Sequence, residues 1–177
     1  MMVSWMETAG YVASDPARVG VMIALAQTGQ PLDELSLSQM AGMLYQRITG
    51  HALETAFLIK HITDLADQGL LERDSSGFRW QMTPLGLLVS RQWAAGALEP
   101  EGDTPLSQQE VRGWRDRLLA QLEEDKSLAE QAGVADDELL AGQTARLSEL
   151  RVLNRVIGED RFPAWLMAMA PGGDGDA

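Results

Sequence analysis

The chain has 177 residues, 45% hydrophobic and 23% charged, which fits one or two folded domains and favours neither a disordered nor a fibrous class. It has no cysteine, which excludes disulfides, thiolate metal sites, iron–sulfur clusters and a cysteine nucleophile. Acids outnumber bases 26 to 14, and the formal net charge of -12 works against nucleic-acid affinity, which comes largely from Lys and Arg neutralising phosphates.

That excess is uneven: residues 1–95 carry six Lys/Arg and nine Asp/Glu, whereas residues 96–177 carry eight and seventeen. The opening Met1-Met2-Val3-Ser4-Trp5-Met6-Glu7 has neither a basic leader nor a sustained apolar run, and no later stretch approaches a transmembrane length. The expected compartment is the cytoplasm, with no membrane partner.

Asp15-Pro16 reads as a helix start, Asp as N-cap and Pro at the first helical position. The run Val19, Met22, Ile23, Leu25 and Ala26 then repeats at helical spacing as far as Gly29-Gln30-Pro31. Ser36 is expected to cap a second amphipathic helix through Leu37, Met40, Ala41 and Leu44 to Thr49-Gly50. A third carries Leu53, Phe57, Leu58, Ile62 and Leu65 and ends at Gly69, a natural left-handed C-cap. These three helices are expected to share one core.

Leu70 to Asp74, the turn Ser75-Ser76-Gly77 and Phe78 to Met82 alternate as a half-buried hairpin does, and Thr83-Pro84 opens a further helix through Leu85, Leu88, Val89 and Trp93. The Pro, Gly and acid-rich stretch 96–105 reads as a linker. Beyond it, helices are expected over 106–124 and 137–158, within an acidic helical segment 106–169, followed by a disordered Gly/Asp tail, 170–177. The fold class expected is therefore mainly α with a small two-stranded antiparallel wing.

Three stretches in this order carry a family likeness. Val12 to Val19 resembles the Asp-Pro-x-Arg opening of ArsR-like domains. Leu58 to Arg73 resembles the end of a recognition helix running into its first wing strand. Met82-Thr83-Pro84-Leu85-Gly86 resembles the Leu-Thr-x-x-Gly that closes a wing. Residues of about 15 to 95 thus resemble the winged helix-turn-helix of ArsR, MarR and PadR-type bacterial transcriptional regulators. The resemblance implies double-stranded DNA as partner, a recognition helix in the major groove, a wing on the backbone and a two-fold dimer. Carried over by position, the groove-facing residues would be His51, Glu54, Thr55, Ile59 and Lys60, and the wing contacts Ser75, Ser76 and Arg79. The pattern departs from a donor-rich face: Lys60 and His61 stand against Glu54, Asp64 and Asp67, and Asp74 lies close to Arg79.

His51 and His61 have no third ligand at metal spacing, and the chain shows no phosphate loop, nucleophile elbow or triad, so neither metal, cofactor nor catalysis is expected. The five tryptophans, Trp5, Trp80, Trp93, Trp114 and Trp165, sit at amphipathic spacing and read as packing residues. Glu123-Glu124-Asp125 and Asp136-Asp137-Glu138 read as a helix end and a helix start, the latter favoured by the macrodipole. Trp114 and Leu118 on one helix, and Leu140, Leu147, Leu150, Leu153 and Ile157 on the other, flanked by Arg146, Arg151 and Arg155, form faces that need a partner. That partner is either the neighbouring helix or a second subunit, and a homodimer is the expectation.

Two functions follow. One is a dimeric winged-helix transcriptional regulator. The other is an acidic winged-helix interaction module with a basic protein partner, similar in use to accessory subunits of SMC chromosome-organising complexes or to phage inhibitors that occupy a DNA-binding protein.

Overall fold

A computed structural model describes residues 4–94 and 107–169. The expected linker 96–105 and the tail 170–177 lie outside the described residues. The protein is mainly α-helical with a small antiparallel sheet, as its periodicity indicated.

Local chemistry sets the first boundaries. Helix α2, Pro16–Thr28, begins where the Asp15 side chain accepts from Ala17 N at 2.8 Å, and it stops at Gly29, whose φ of 63° is costly for a residue with a Cβ. Helix α3, Glu34–Thr49, begins one turn-fraction earlier than expected. Its cap is Asp33, not Ser36. The Ser36 amide and hydroxyl both donate to the Asp33 carboxylate, at 2.9 and 2.7 Å, which satisfies an orphan amide that Ser36 itself could not reach. Helix α4, Thr55–Asp67, follows.

The sheet has three strands rather than two. Between α2 and α3, β1 (Leu32–Asp33) pairs antiparallel with β3 (Arg79–Met82), which also pairs with β2 (Leu71–Arg73). Leu32 lies opposite Trp80, and Arg73 lies opposite Trp80 on the other side. A strand of two residues leaves no alternation to read, so only its pairing reveals it. Helix α5, Pro84–Ala94, leaves the hairpin at Thr83, whose hydroxyl donates to Gly69 O at 2.6 Å and accepts from Gly86 N at 3.1 Å.

Three further elements depart from expectation. An N-terminal helix, α1 (Trp5–Ala13), precedes the first predicted one, capped by Ser4, which accepts from Glu7 N. Helix α6 runs over Gln108–Ala132, so Glu123-Glu124-Asp125 lies mid-helix instead of at an end. Its true start is a capping box between Ser107 and Glu110, and its true end is Gly133 at φ 72°. The helix expected over 137–158 is two, α7 (Asp136–Gly142) and α8 (Thr144–Ile157), broken at Gln143, and a short α9 (Ala164–Met169) follows.

Two apolar clusters hold these elements. The first joins α1 to α5 through Trp5, Val21, Met22, Leu37, Leu58 and Ile62, and it takes in Leu128, Val134 and Leu139 from α6, α7 and the turn between them. Residues beyond the expected linker therefore complete the core of the N-terminal part. The second cluster packs Leu118 and Leu122 of α6 on Leu147, Leu150 and Leu153 of α8. Each fully buried leucine contributes about 1.5–3 kcal/mol relative to an exposed one.

Candidate nucleic-acid interface

Helix α4 is the element on which the sequence placed the groove-facing residues. It buries Leu58, Ile62 and Leu65, spaced by three and four, against α2 and α3. The outward stripe, one turn away on each repeat, is then Ala56, Phe57, Lys60, Thr63 and Asp67, all exposed. Of the expected residues, His51, Glu54, Thr55 and Lys60 are exposed, and Ile59 lies half-buried at the edge of the packed face. His51 stands in the loop after α3, where its amide donates to Thr49 Oγ1 at 3.1 Å, and Glu54 occupies the N-cap position without a side-chain cap bond. Phe57 corrects the expectation of a shared core: the residue is 54% exposed. It precedes Leu58 by one position, and a rotation of 100° carries it from the packed face to solvent.

The hairpin turn is built from its own side chains. Asp74 accepts from Ser76 N at 3.1 Å and from the Ser76 hydroxyl, while Gly77 N closes onto Asp74 O at 3.0 Å. Arg79 Nε is held on Asp74 Oδ2 at 2.9 Å. The Ser76 hydroxyl foremost, and the Arg79 charge with it, hold the Asp74 carboxyl below its ordinary value of 3.8. Of the three expected wing residues, Ser76 and Arg79 are thus turned onto Asp74, and Ser75 is exposed. Phe78, unremarked in the sequence as a surface residue, is 78% exposed.

The cations of residues 4–94 are mostly spent inside the molecule. Arg18 lies 3.8 Å from the Tyr11 ring centroid and donates to Tyr11 O, and Arg73 lies 4.0 Å from the Trp80 ring. Arg79 is on Asp74, and Arg91 reaches Glu124 and Asp125 at 2.8 and 3.2 Å. Among the described residues, Arg47 and Lys60 are exposed with no acid within ion-pair distance. Arg47 lies on α3, and Lys60 shares α4 with Asp64 and Asp67 and with Glu54 at its N-cap, none of which has an ion-pair partner among the described residues. His61 Nε2 sits 3.7 Å from Asp15 Oδ2, and His51 is apart from it in the α3–α4 loop.

The residues expected at a dimer or partner interface meet within one chain. Leu118, Leu147, Leu150 and Leu153 are buried, and Trp114, Leu140 and Ile157 pack half-buried around them. Of the flanking arginines, Arg146 is buried against Asp125 while Arg151 and Arg155 are exposed. Trp5 and Trp80 are buried packing residues, and Trp114 and Trp165 are half-buried.

Among the described residues no group of three or more His, Asp or Glu is gathered at metal-binding distance, and no helix is long and apolar enough to cross a membrane. Compared with known proteins, the chain matches no family model, no curated protein and no solved structure.

Proposed function

We propose that this chain is a protein-docking module built on a winged-helix plan, whose α4 surface receives a partner protein presenting apolar and basic side chains. One observation carries this reading. Four of the six cations in the N-terminal part are engaged internally, whereas Phe57 stands exposed on α4 beside Lys60, Asp64 and Asp67. An exposed aromatic ring on a helix whose acids outnumber its one cation suits a hot spot for a basic protein surface better than a phosphate backbone. The fold plan alone decides nothing, since one fold hosts many functions. The test is copurification from a nuclease-treated lysate with wild type, Phe57→Ser and Lys60→Ala. A stoichiometric partner lost with Phe57→Ser and kept with Lys60→Ala supports the reading, and one that vanishes with the nucleic acid sinks it.

A second reading, a DNA-binding regulator, is favoured by the order α2, β1, α3, α4, β2, β3 and by the free Arg47 and Lys60. Two phosphate contacts per copy give a salt slope of only about −2, so such binding needs two copies on one duplex. Salt-dependent binding weakened by both Lys60→Ala and Arg47→Ala supports it; no binding at low salt removes it.

A further inference from the structure

Around the end of α8 and the start of α9 lie three open grooves of about 410, 540 and 360 Å³, which share Phe162 as a wall. Their apolar floor is rooted in the second cluster: Phe162, Leu166 of α9 and Leu140 of α7 are each half-buried against it. Met167 and Met169 of α9 line the same grooves and are 62% and 38% exposed. Methionine, unbranched and flexible, adapts to the varied apolar side chains of a docked helix.

Two exposed guanidiniums, Arg151 and Arg155, line this surface from one side of α8, four residues apart. Neither has an acid within ion-pair distance among the described residues. Like charges at that spacing weaken a helix, so the pair favours an acid from outside. Neighbouring cations are spent, by contrast: Arg112 and Arg115 sit on Glu159 at 3.0 and 3.2 Å, Lys126 on Asp136 and Arg146 on Asp125. Glu159 is thereby engaged already, and Asp160 is the other acid that lines these grooves. In a chain with 26 acids and 14 bases, an apolar floor flanked by two free arginines is a local reversal of charge.

We propose that this surface docks an acidic amphipathic helix of a partner protein, its apolar side chains on Phe162, Leu166 and Met167 and its carboxylates on Arg151 and Arg155. Charge complementarity fixes the sign, and a guanidinium meets a carboxylate with two parallel hydrogen bonds. Arg151 joins the two halves of the site, since it borders both the groove of Arg155 and the apolar groove of Leu140, Leu166 and Met169. Shape favours a helix over a lipid surface. Concave grooves take a rod about 10–12 Å across, whereas a bilayer is flat and its anionic plane is opposed by the net charge of -12. The assignment rests on α8 and α9 and is independent of what α4 binds.

The experiment is fluorescence anisotropy of the full chain with a labelled synthetic helix of about 18 residues, leucine at spacings of three and four and glutamate on the flanks. A second peptide has lysine in place of every glutamate. The glutamate peptide is expected to bind about tenfold or more tightly than the lysine peptide, the reverse of the order that net charge alone would give. Arg151→Glu with Arg155→Glu, both exposed, is expected to weaken the glutamate peptide about tenfold or more, and Met167→Ser about two- to fivefold. No binding of the glutamate peptide up to about 1 mM, a lysine peptide bound as tightly, or an affinity unmoved by the double charge reversal would each overturn the assignment. Sedimentation with phosphatidylcholine and phosphatidylglycerol vesicles, abolished by the double reversal and without peptide binding, would give the surface to lipid instead.

Discussion

The six-membered ring of Trp5 lies directly over the Cα of Gly142, so that a Cβ built there would stand 1.9 Å from Trp5 Cζ3. Through this contact the first helix reaches the seventh, and Ser4 Oγ reinforces it by donating to Glu138 Oε1 at 2.8 Å. Trp5 is fully buried and has no room to retreat. Gly142→Ala is therefore expected to destabilise by about 1–3 kcal/mol through overpacking. Trp5→Ala, which empties the slot, is expected to cost about 3–5 kcal/mol. Denaturant unfolding of both variants measures this; a Gly142→Ala protein as stable as wild type would contradict the contact.

Gly86 plays a comparable part where the hairpin meets α5. A Cβ there would come within 2.1 Å of the Leu70 carbonyl oxygen, which is backbone and already accepts from Thr83 N at 3.0 Å. Gly86→Ala must separate α5 from β2, and the exposed-surface variant Leu87→Ala must not. A lower melting temperature for the first and a near-wild-type one for the second is the expected pair of results.

Asp125, fully buried, stands between Arg91 of α5 and Arg146 of α8. Asp125→Ala leaves the buried Arg146 uncompensated and Arg91 with Glu124 alone, and the expected loss is about 3–5 kcal/mol. Replacing Asp125 and Arg146 together by leucine should recover much of that loss, since well-packed apolar side chains avoid the desolvation. A double variant as unstable as the single one would show that Arg91 alone governs the site.

Acid should unfold the protein through identifiable carboxylates. Glu159 is held below its ordinary 4.5, first by the hydrogen bond from Arg115, against some desolvation, and then by the charges of Arg112 and Arg115. Hydrogen bonds from Ser36 lower Asp33, and those from Ser107 lower Glu110. A lowered folded-state value means that the native protein binds its proton later than the unfolded chain does. These groups contribute fully above their ordinary values, and the contribution is lost as the pH falls below about 4 through the folded-state values. Melting temperature against pH should be level from neutral down to about pH 5 and fall below it. Glu159→Gln should make that acid fall shallower; an unchanged acid limb would remove Glu159 from the explanation.

What could be read from the sequence was what local backbone chemistry decides. Asp15-Pro16 capped α2, Gly29 and Gly69 took their left-handed positions, and Thr83 with Gly86 closed the hairpin as expected. What escaped depends on distant partners. Strand β1 exists because Leu32 meets Trp80, and the helix breaks at Gln143, just after Gly142, where the Gln143 side-chain amide donates to the distant Asp125. Asp125 itself read as a solvated helix end, since neither Arg91 nor Arg146 is near it in sequence. Helix α1 did leave a signal, the pair Ser4 and Glu7 at cap spacing ahead of Trp5 and Val12. On the candidate surface, the shortage of donors along α4 was legible, and so was Asp74 beside Arg79. The outward turn of Phe57 was not, because an amphipathic stripe does not say which of two adjacent apolar residues lies at its edge.

The central claim, that the α4 surface serves a protein and not DNA, is tested most directly by fluorescence anisotropy of random-sequence duplex DNA at about 50 mM and about 200 mM salt. The account predicts no appreciable binding at either concentration. Tight binding at the lower salt that collapses at the higher, and that Lys60→Ala and Arg47→Ala both abolish, would contradict it.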